Sequence, residues 1–153
     1  MNIIMFKERK HKELQTFFAQ NTDNNSFFIS NSIQKNFNNF VNYDLRHLLF
    51  SGRAICFCNV ENNSIKQLAL FLLPSEDYNL SFSQILALNF DDNEFVDAVF
   101  KKLSLLKAQL GIEKIVLNTN KNIIKEFAKK QNFELEYTLS TIHGKHSRFV
   151  IFI

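Results

Sequence analysis

The sequence predicts an α+β domain, one mixed β-sheet with helices on both faces, and three observations carry that prediction. Short apolar runs bounded by polar turns alternate with segments whose apolar residues recur at helical spacing. The stretch 80–119 reads strand, helix, strand. That order forces a crossover between parallel neighbours, whereas the other strand runs are joined by turns short enough for antiparallel pairs. A chain of 153 residues that is 46% hydrophobic, with one proline and three glycines, has apolar surface for a real core and no linker composition to divide it. Residues 1–153 are therefore expected to form a single domain.

Taken in order, "IIMF" at 3–6 reads as a short strand. "KHKELQTFFAQN" at 10–21 reads as a helix with Leu14, Phe17 and Phe18 on one face. A second helix fits "NSIQKNFNNFVNY" at 31–43, with Ile33, Phe37, Phe40 and Val41 as its core stripe and Ser30 or Asn31 as its cap. Three strands follow in series: "GRAICFCNV" at 52–60, "SIKQLALFLLP" at 64–74 after the turn "ENN", and "LSFSQILALNF" at 80–90 after "SEDYN". The last two are apolar on both faces, as strands of a sheet covered on both sides must be. Pro74 ends or bulges its strand.

Helix 92–110 keeps Val96, Val99, Leu103, Leu106 and Leu110 at helical spacing, and Gly111 stands where a left-handed C-cap belongs. "EKIVLNT" at 113–119 is a short buried strand. A helix over 121–131 buries Ile123, Ile124 and Phe127 and carries Lys129 and Lys130 at its negative end. Two strands, "FELEYTLS" and "SRFVIFI", close the chain through a hairpin turn, "HGKH", centred on Gly144. The predicted order is β-α-α-β-β-β-α-β-α-β-β.

Several function classes are set aside by composition. The net charge is +3, and the densest basic stretch, "KERKHK" at 7–12, is broken by Glu8, so no nucleic-acid partner is expected. "LALFLL" at 68–73 is far too short to span a bilayer, and the N-terminus runs apolar before basic, the reverse of a signal peptide. No membrane association and a cytoplasmic location are the expectations. Cys56 and Cys58 share one strand face, where disulfide geometry is poor, and are expected to be buried free thiols. Four scattered histidines suggest no metal site. An uncovered apolar edge such as "FVIFI" invites a second copy, which points to a homodimer.

The junction "NFDDNEF" at 89–95 joins a strand to a helix, an arrangement that often holds phosphate on the free N–H groups of the first turn. Here it carries Asp91, Asp92 and Glu94 and no glycine. Asp91 as N-cap with Glu94 at the third helical position reads as a variant capping box. Pyrophosphate beside these acids would meet like charges costing about 1 kcal/mol each at 4 Å in water and about 4 kcal/mol at an effective dielectric of 20.

The element order, with "GIEKIVLNTNKNIIKEFAKKQNFELEYTLS" at 111–140, resembles the GNAT superfamily of N-acetyltransferases. That family commonly shows a helix ending in Gly, a short strand, then Asn-x-x-Ala-x-x-x-Tyr-x-x-x-Gly-Phe. Phe133 matches the last position, and Asn132 stands in for the Gly. The resemblance implies acetyl-CoA in a V-shaped opening between the fourth and fifth strands. The pantetheine arm would lie on the backbone of Leu86, Ala87, Leu88 and Asn89. The pyrophosphate would lie near Asn93, Glu94, Phe95 and Val96, with Asn120 at the end of the fifth strand.

Two motif positions depart from the family pattern. The phosphate loop lacks its Arg, Gln and Gly residues, and Ala128 stands where a Tyr commonly protonates the leaving thiolate. Glu126 is the only acid on that helix. Lys101, Lys102 or Lys121 could supply countercharge. For proton transfer from a small-molecule or protein amine acceptor, the candidates are Glu76 in the turn with Asp77 and Tyr78, and His143 and His146 in the last hairpin. Two functions follow: an acyl-CoA-dependent N-acyltransferase with an atypical cofactor loop, or a catalytically silent binding module of the same shape.

Overall fold

The computed structural model describes residues 3–5, 11–24, 27–31, 33, 45–76, 80–142 and 144–153. Its strands are β1 (Ile3–Met5), β2 (Ala54–Glu61), β3 (Ser64–Leu72), β4 (Ser83–Leu88), β5 (Lys114–Thr119), β6 (Glu134–Thr141) and β7 (Gly144–Phe152). Its helices are α1 (His11–Gln20), α2 (Leu45–Phe50), α3 (Asn93–Leu110) and α4 (Asn122–Lys130). The strands form one sheet in the order β1-β2-β3-β4-β5-β7-β6. Every ladder is antiparallel except β4–β5, which the α3 crossover makes parallel.

The sheet is covered on both faces, and the alternation of β2 shows how. Ile55 and Phe57 join a core with Phe95, Val96, Val99 and Leu103 of α3 and Ile124, Phe127 and Ala128 of α4. Ala54, Cys56 and Cys58 join a second core with Leu14, Phe17 and Phe18 of α1 and Leu45 and Leu48 of α2. The two thiols are buried and free, their Sγ atoms 3.9 Å apart on one face, and burial pushes the Cys56 thiol up.

Local chemistry explains the element ends. Asn62 and Asn63 both take left-handed backbone, as the two-residue turn from β2 to β3 requires. Gly111 caps α3 at φ 68°, and Asn132 follows α4 at φ 64°, in the place where the family motif has glycine.

Other elements differ from expectation. Leu45–Phe50 is helical, although no helix was expected there, and it carries His47. The predicted helix 31–43 lies outside the described residues apart from Asn31 and Ile33. Ser30 Oγ accepts a 3.3 Å hydrogen bond from Ile33 N, as an N-cap does. The N-cap of α3 is Asp92, not Asp91: its Oδ1 accepts from Phe95 N at 3.1 Å, and Asp91 is an exposed turn residue. The final hairpin is tighter than expected, pairing Thr141 directly with Gly144. β7 is not an edge, because it lies between β5 and β6. The edge is β6, exposed along its whole length, with Leu135, Tyr137 and Leu139 on its surface.

Candidate functional site

β4 and β5 are paired at only two positions, Ser83 with Ile115 and Gln84 with Val116, and beyond these the strands part. Leu86 is an extra residue opposite β3, since Leu70 pairs with Ala87 and Phe71 with Ile85. The bulge turns the rest of β4 away from β5, producing the opening in which the family resemblance places a cofactor.

That opening is filled by the chain itself. Phe28 forms an antiparallel bridge to Ala87, with Leu88 N donating to Phe27 O at 2.9 Å and Ile29 N donating to Leu86 O at 3.3 Å. On the other flank, Thr119 Oγ1 at the end of β5 donates to Ile29 O, and Lys121 Nζ donates to Phe28 O at 2.8 Å. Asn31 N donates to Asn120 Oδ1 at 3.2 Å. The carbonyls of 27, 28 and 29 are thus all engaged, by β4 on one side and by the β5–α4 junction on the other.

The side chains are equally committed. Phe27, Phe28 and Ile29 are fully buried, the two phenylalanines in the α1–α2 core and Ile29 in the α3–α4 core. Phe27 stacks edge-on with Phe17 at 5.6 Å and Phe28 at 4.9 Å between ring centroids. Burial at roughly 1.5–3 kcal/mol per residue makes this segment worth about 5–9 kcal/mol as an upper figure. A micromolar ligand brings about 8 kcal/mol. Displacing the segment would therefore consume about all of such an affinity.

The helix junction is likewise satisfied from within. Asp92 accepts from Phe95 N through one carboxylate oxygen and from Gln67 Nε2 through the other, and Gln67 Oε1 accepts from the buried Asn59 Nδ2 at 2.7 Å. Val96 N donates to Asp92 O at 3.0 Å. The positive end of α3 already faces an anion, so a pyrophosphate there would displace Asp92 or repel it. Replacing Asp92 with alanine is expected to lower stability by about 0.5–2 kcal/mol, read as a lower urea midpoint at unchanged slope.

The expected site residues fall into separate places. Leu86, Ala87 and Leu88 line the opening, with Leu86 O and Leu88 N already engaged. Asn89 instead ties β4 to β3, its N–H donating to Leu68 O and its Oδ1 accepting from Leu68 N. Asn93 and Glu94 are exposed at the helix start, while Phe95 and Val96 have buried side chains. His146 is half-buried just before Ser147, which pairs with Thr119, so it lies at the open end of the seam. Glu76 precedes β4 at the opposite end and is exposed, so the two are not brought together. His143, Asp77 and Tyr78 lie outside the described residues. Among those described, no group of three or more His, Cys, Asp or Glu could hold a metal ion, and no helix is long and apolar enough to cross a membrane.

Sequence reasoning passed over Phe27–Ile29, left unassigned between two helices, and Thr119, read only as the end of a strand. Lys121, a candidate countercharge for phosphate by sequence, is committed elsewhere. Its ammonium is buried against Phe28 O, and that burial pushes its pKa below the ordinary lysine value. Counting back along the family motif from Phe133 puts Lys121 in the place of the leading Asn. That departure was the readable signal. As folded, the residues present do not fit acyl-CoA: the β4 edge, the helix start and the position of the acid Tyr are each taken by the chain's own groups.

By sequence, no protein-family model and no curated protein matches the chain. Its structure is similar to that of aminoglycoside 6'-acetyltransferase type Ii, at 11% identity and TM-score 0.70, covering 99% of this chain and 97% of that one. It is similar to a ribosomal L7/L12 alpha-N-protein acetyltransferase in complex with coenzyme A, at 11% identity and TM-score 0.66 over 99% and 93% of the two chains. It is also similar to an acetyltransferase of the GNAT family from Streptococcus pneumoniae, at 11% identity and TM-score 0.67 over 99% of each. With its parallel β4–β5 pair, its β4 bulge and a structural match covering 99% of its length, the chain has the fold of the GNAT superfamily of N-acetyltransferases.

Proposed function

We propose that this chain is a GNAT-type N-acyltransferase that moves an acyl group, acetyl first among the candidates, from acyl-CoA to an amine. The observation that supports this reading is the parting of β4 from β5 after two residue pairs, within a sheet that superposes on acetyltransferases over 99% of the chain. Acceptors of the similar proteins include a ribosomal protein and aminoglycosides, so an amine on a protein or a small molecule is the acceptor class. In this reading the backbone of Leu86–Leu88 and the start of the helix at Asn93 and Glu94, with Asn120, form the cofactor track once the segment 27–29 is displaced. His146, at the open end of the seam, is the base. A homodimer would use the exposed edge of β6.

A second reading, a catalytically silent binding module on the same fold, is favoured by the filled seam and by Ala128. Thermal unfolding with acetyl-CoA, and with free CoA as control, separates the two. Saturation at about 100 times Kd stabilises by about 2.7 kcal/mol, which raises Tm by roughly 5–11 °C at this size. No shift at millimolar cofactor favours the second reading.

A further inference from the structure

We propose that residues 27–29 are a latch: they occupy the β4 edge that the acyl-carrying arm of the cofactor would need, and acyl-CoA binds only when they leave it. The inference rests on the N-acyltransferase reading above.

Three features make the segment more than a loop that happens to lie near the opening. Its pairing to β4 is that of a strand, with Leu88 N on Phe27 O and Ile29 N on Leu86 O. An extended ligand on the same edge would need those same two groups of β4. Its far side is held by a clasp of two side chains, Thr119 and Lys121, both buried and both directed at backbone carbonyls. Lys121 N also donates to Thr119 Oγ1 at 3.0 Å, which couples the clasp to the start of α4. Finally, the polar turn before it, where Asn24 N donates to Asn21 O and Phe27 N to Asn24 O, is bonded within itself, so the latch has its own local connection to α1. A lysine buried against a loop carbonyl is a costly way to fill space, and it is well suited to holding a backbone in one place.

The test uses the full chain and acetyl-CoA. Thr119→Val with Lys121→Met removes both clasp bonds and leaves the β4 pairing intact. Lys121→Asn alone, the residue at that place in the family motif, serves where the double variant does not fold. Binding is measured by calorimetry, and amide exchange is followed at Ile29 and Leu88. The expected result is binding tightened by about tenfold or more in the variants, since two hydrogen bonds no longer hold the closed form. Acetyl-CoA bound by the loosened variants should also remove protection of Ile29 N. Binding by the parent chain with Ile29 N still protected overturns the latch and leaves the acyltransferase reading standing. Failure of both the parent and a folded variant to bind at millimolar acetyl-CoA overturns the latch and that reading together.

Discussion

Phe28→Ala is expected to lower the free energy of unfolding by about 3–5 kcal/mol, a fall in Tm of roughly 6–20 °C. Phe28 is fully buried, packs against Phe27 and belongs to the core beneath α1 and α2. Its backbone bridges Ala87 and its carbonyl receives the Lys121 ammonium. Truncation removes the ring but not those backbone bonds, so the void has little freedom to collapse, and the cost falls at the upper end of what a buried phenyl contributes. Chemical denaturation monitored by circular dichroism reads it, with Phe50→Ala as the control, because Phe50 is 74% exposed and should change stability by less than about 0.5 kcal/mol. A loss at Phe28 as small as at Phe50 would mean that the segment is not packed in the seam. The filled cleft would then fall as a description of the folded state.

The frame of the fold was readable because its signals are local and repeated. The spacing of Val96, Val99 and Leu103 and the stop at Gly111 identify α3 from within α3. Apolarity on both faces of β3 and β4 reports a covered sheet without knowledge of what covers it. The seam was not readable for the opposite reason. Phe27, Phe28 and Ile29 are three apolar residues with no period to display, and their partners are about 60 to 90 positions away, at Leu86, Leu88, Thr119 and Lys121. The cap illustrates a finer limit. Asp91 and Asp92 are equally good N-caps by type, and only the contact with Gln67 on β3, itself held by Asn59, selects the second. Likewise the apolar "FVIFI" reads as an uncovered edge from its sequence, but the hairpin folds β6 outward and leaves β7 between two strands. Spatial order in a sheet is set by tertiary pairing, which a strand's own composition does not record.

Ala128→Tyr, which would supply the phenol that the family motif has at this position, is expected to destabilise the chain by about 1–3 kcal/mol or more, without conferring activity. Ala128 is fully exposed to the core and not at all to solvent, in one cluster with Phe127, Phe133 and Phe149. Its carbonyl already accepts from Phe133 N at 2.9 Å, which fixes the turn after α4. A phenol there needs room that only an open cleft provides, and in this fold the neighbouring opening is filled by Ile29 from the same core. The size of the loss therefore measures the state of the seam. A Tyr variant that unfolds several degrees below the parent, in the presence and absence of acetyl-CoA, marks the position as packed core. A variant that melts with the parent has found empty space beside α4, as an open cofactor cleft would offer. Combining it with Lys121→Asn sharpens the comparison: if the latch competes with whatever enters the seam, loosening it should relieve the strain of the added ring. The double variant would then be more stable than the sum of the two single effects predicts. Strict additivity would place the ring and the latch in separate environments, and the phenol's position outside the opening.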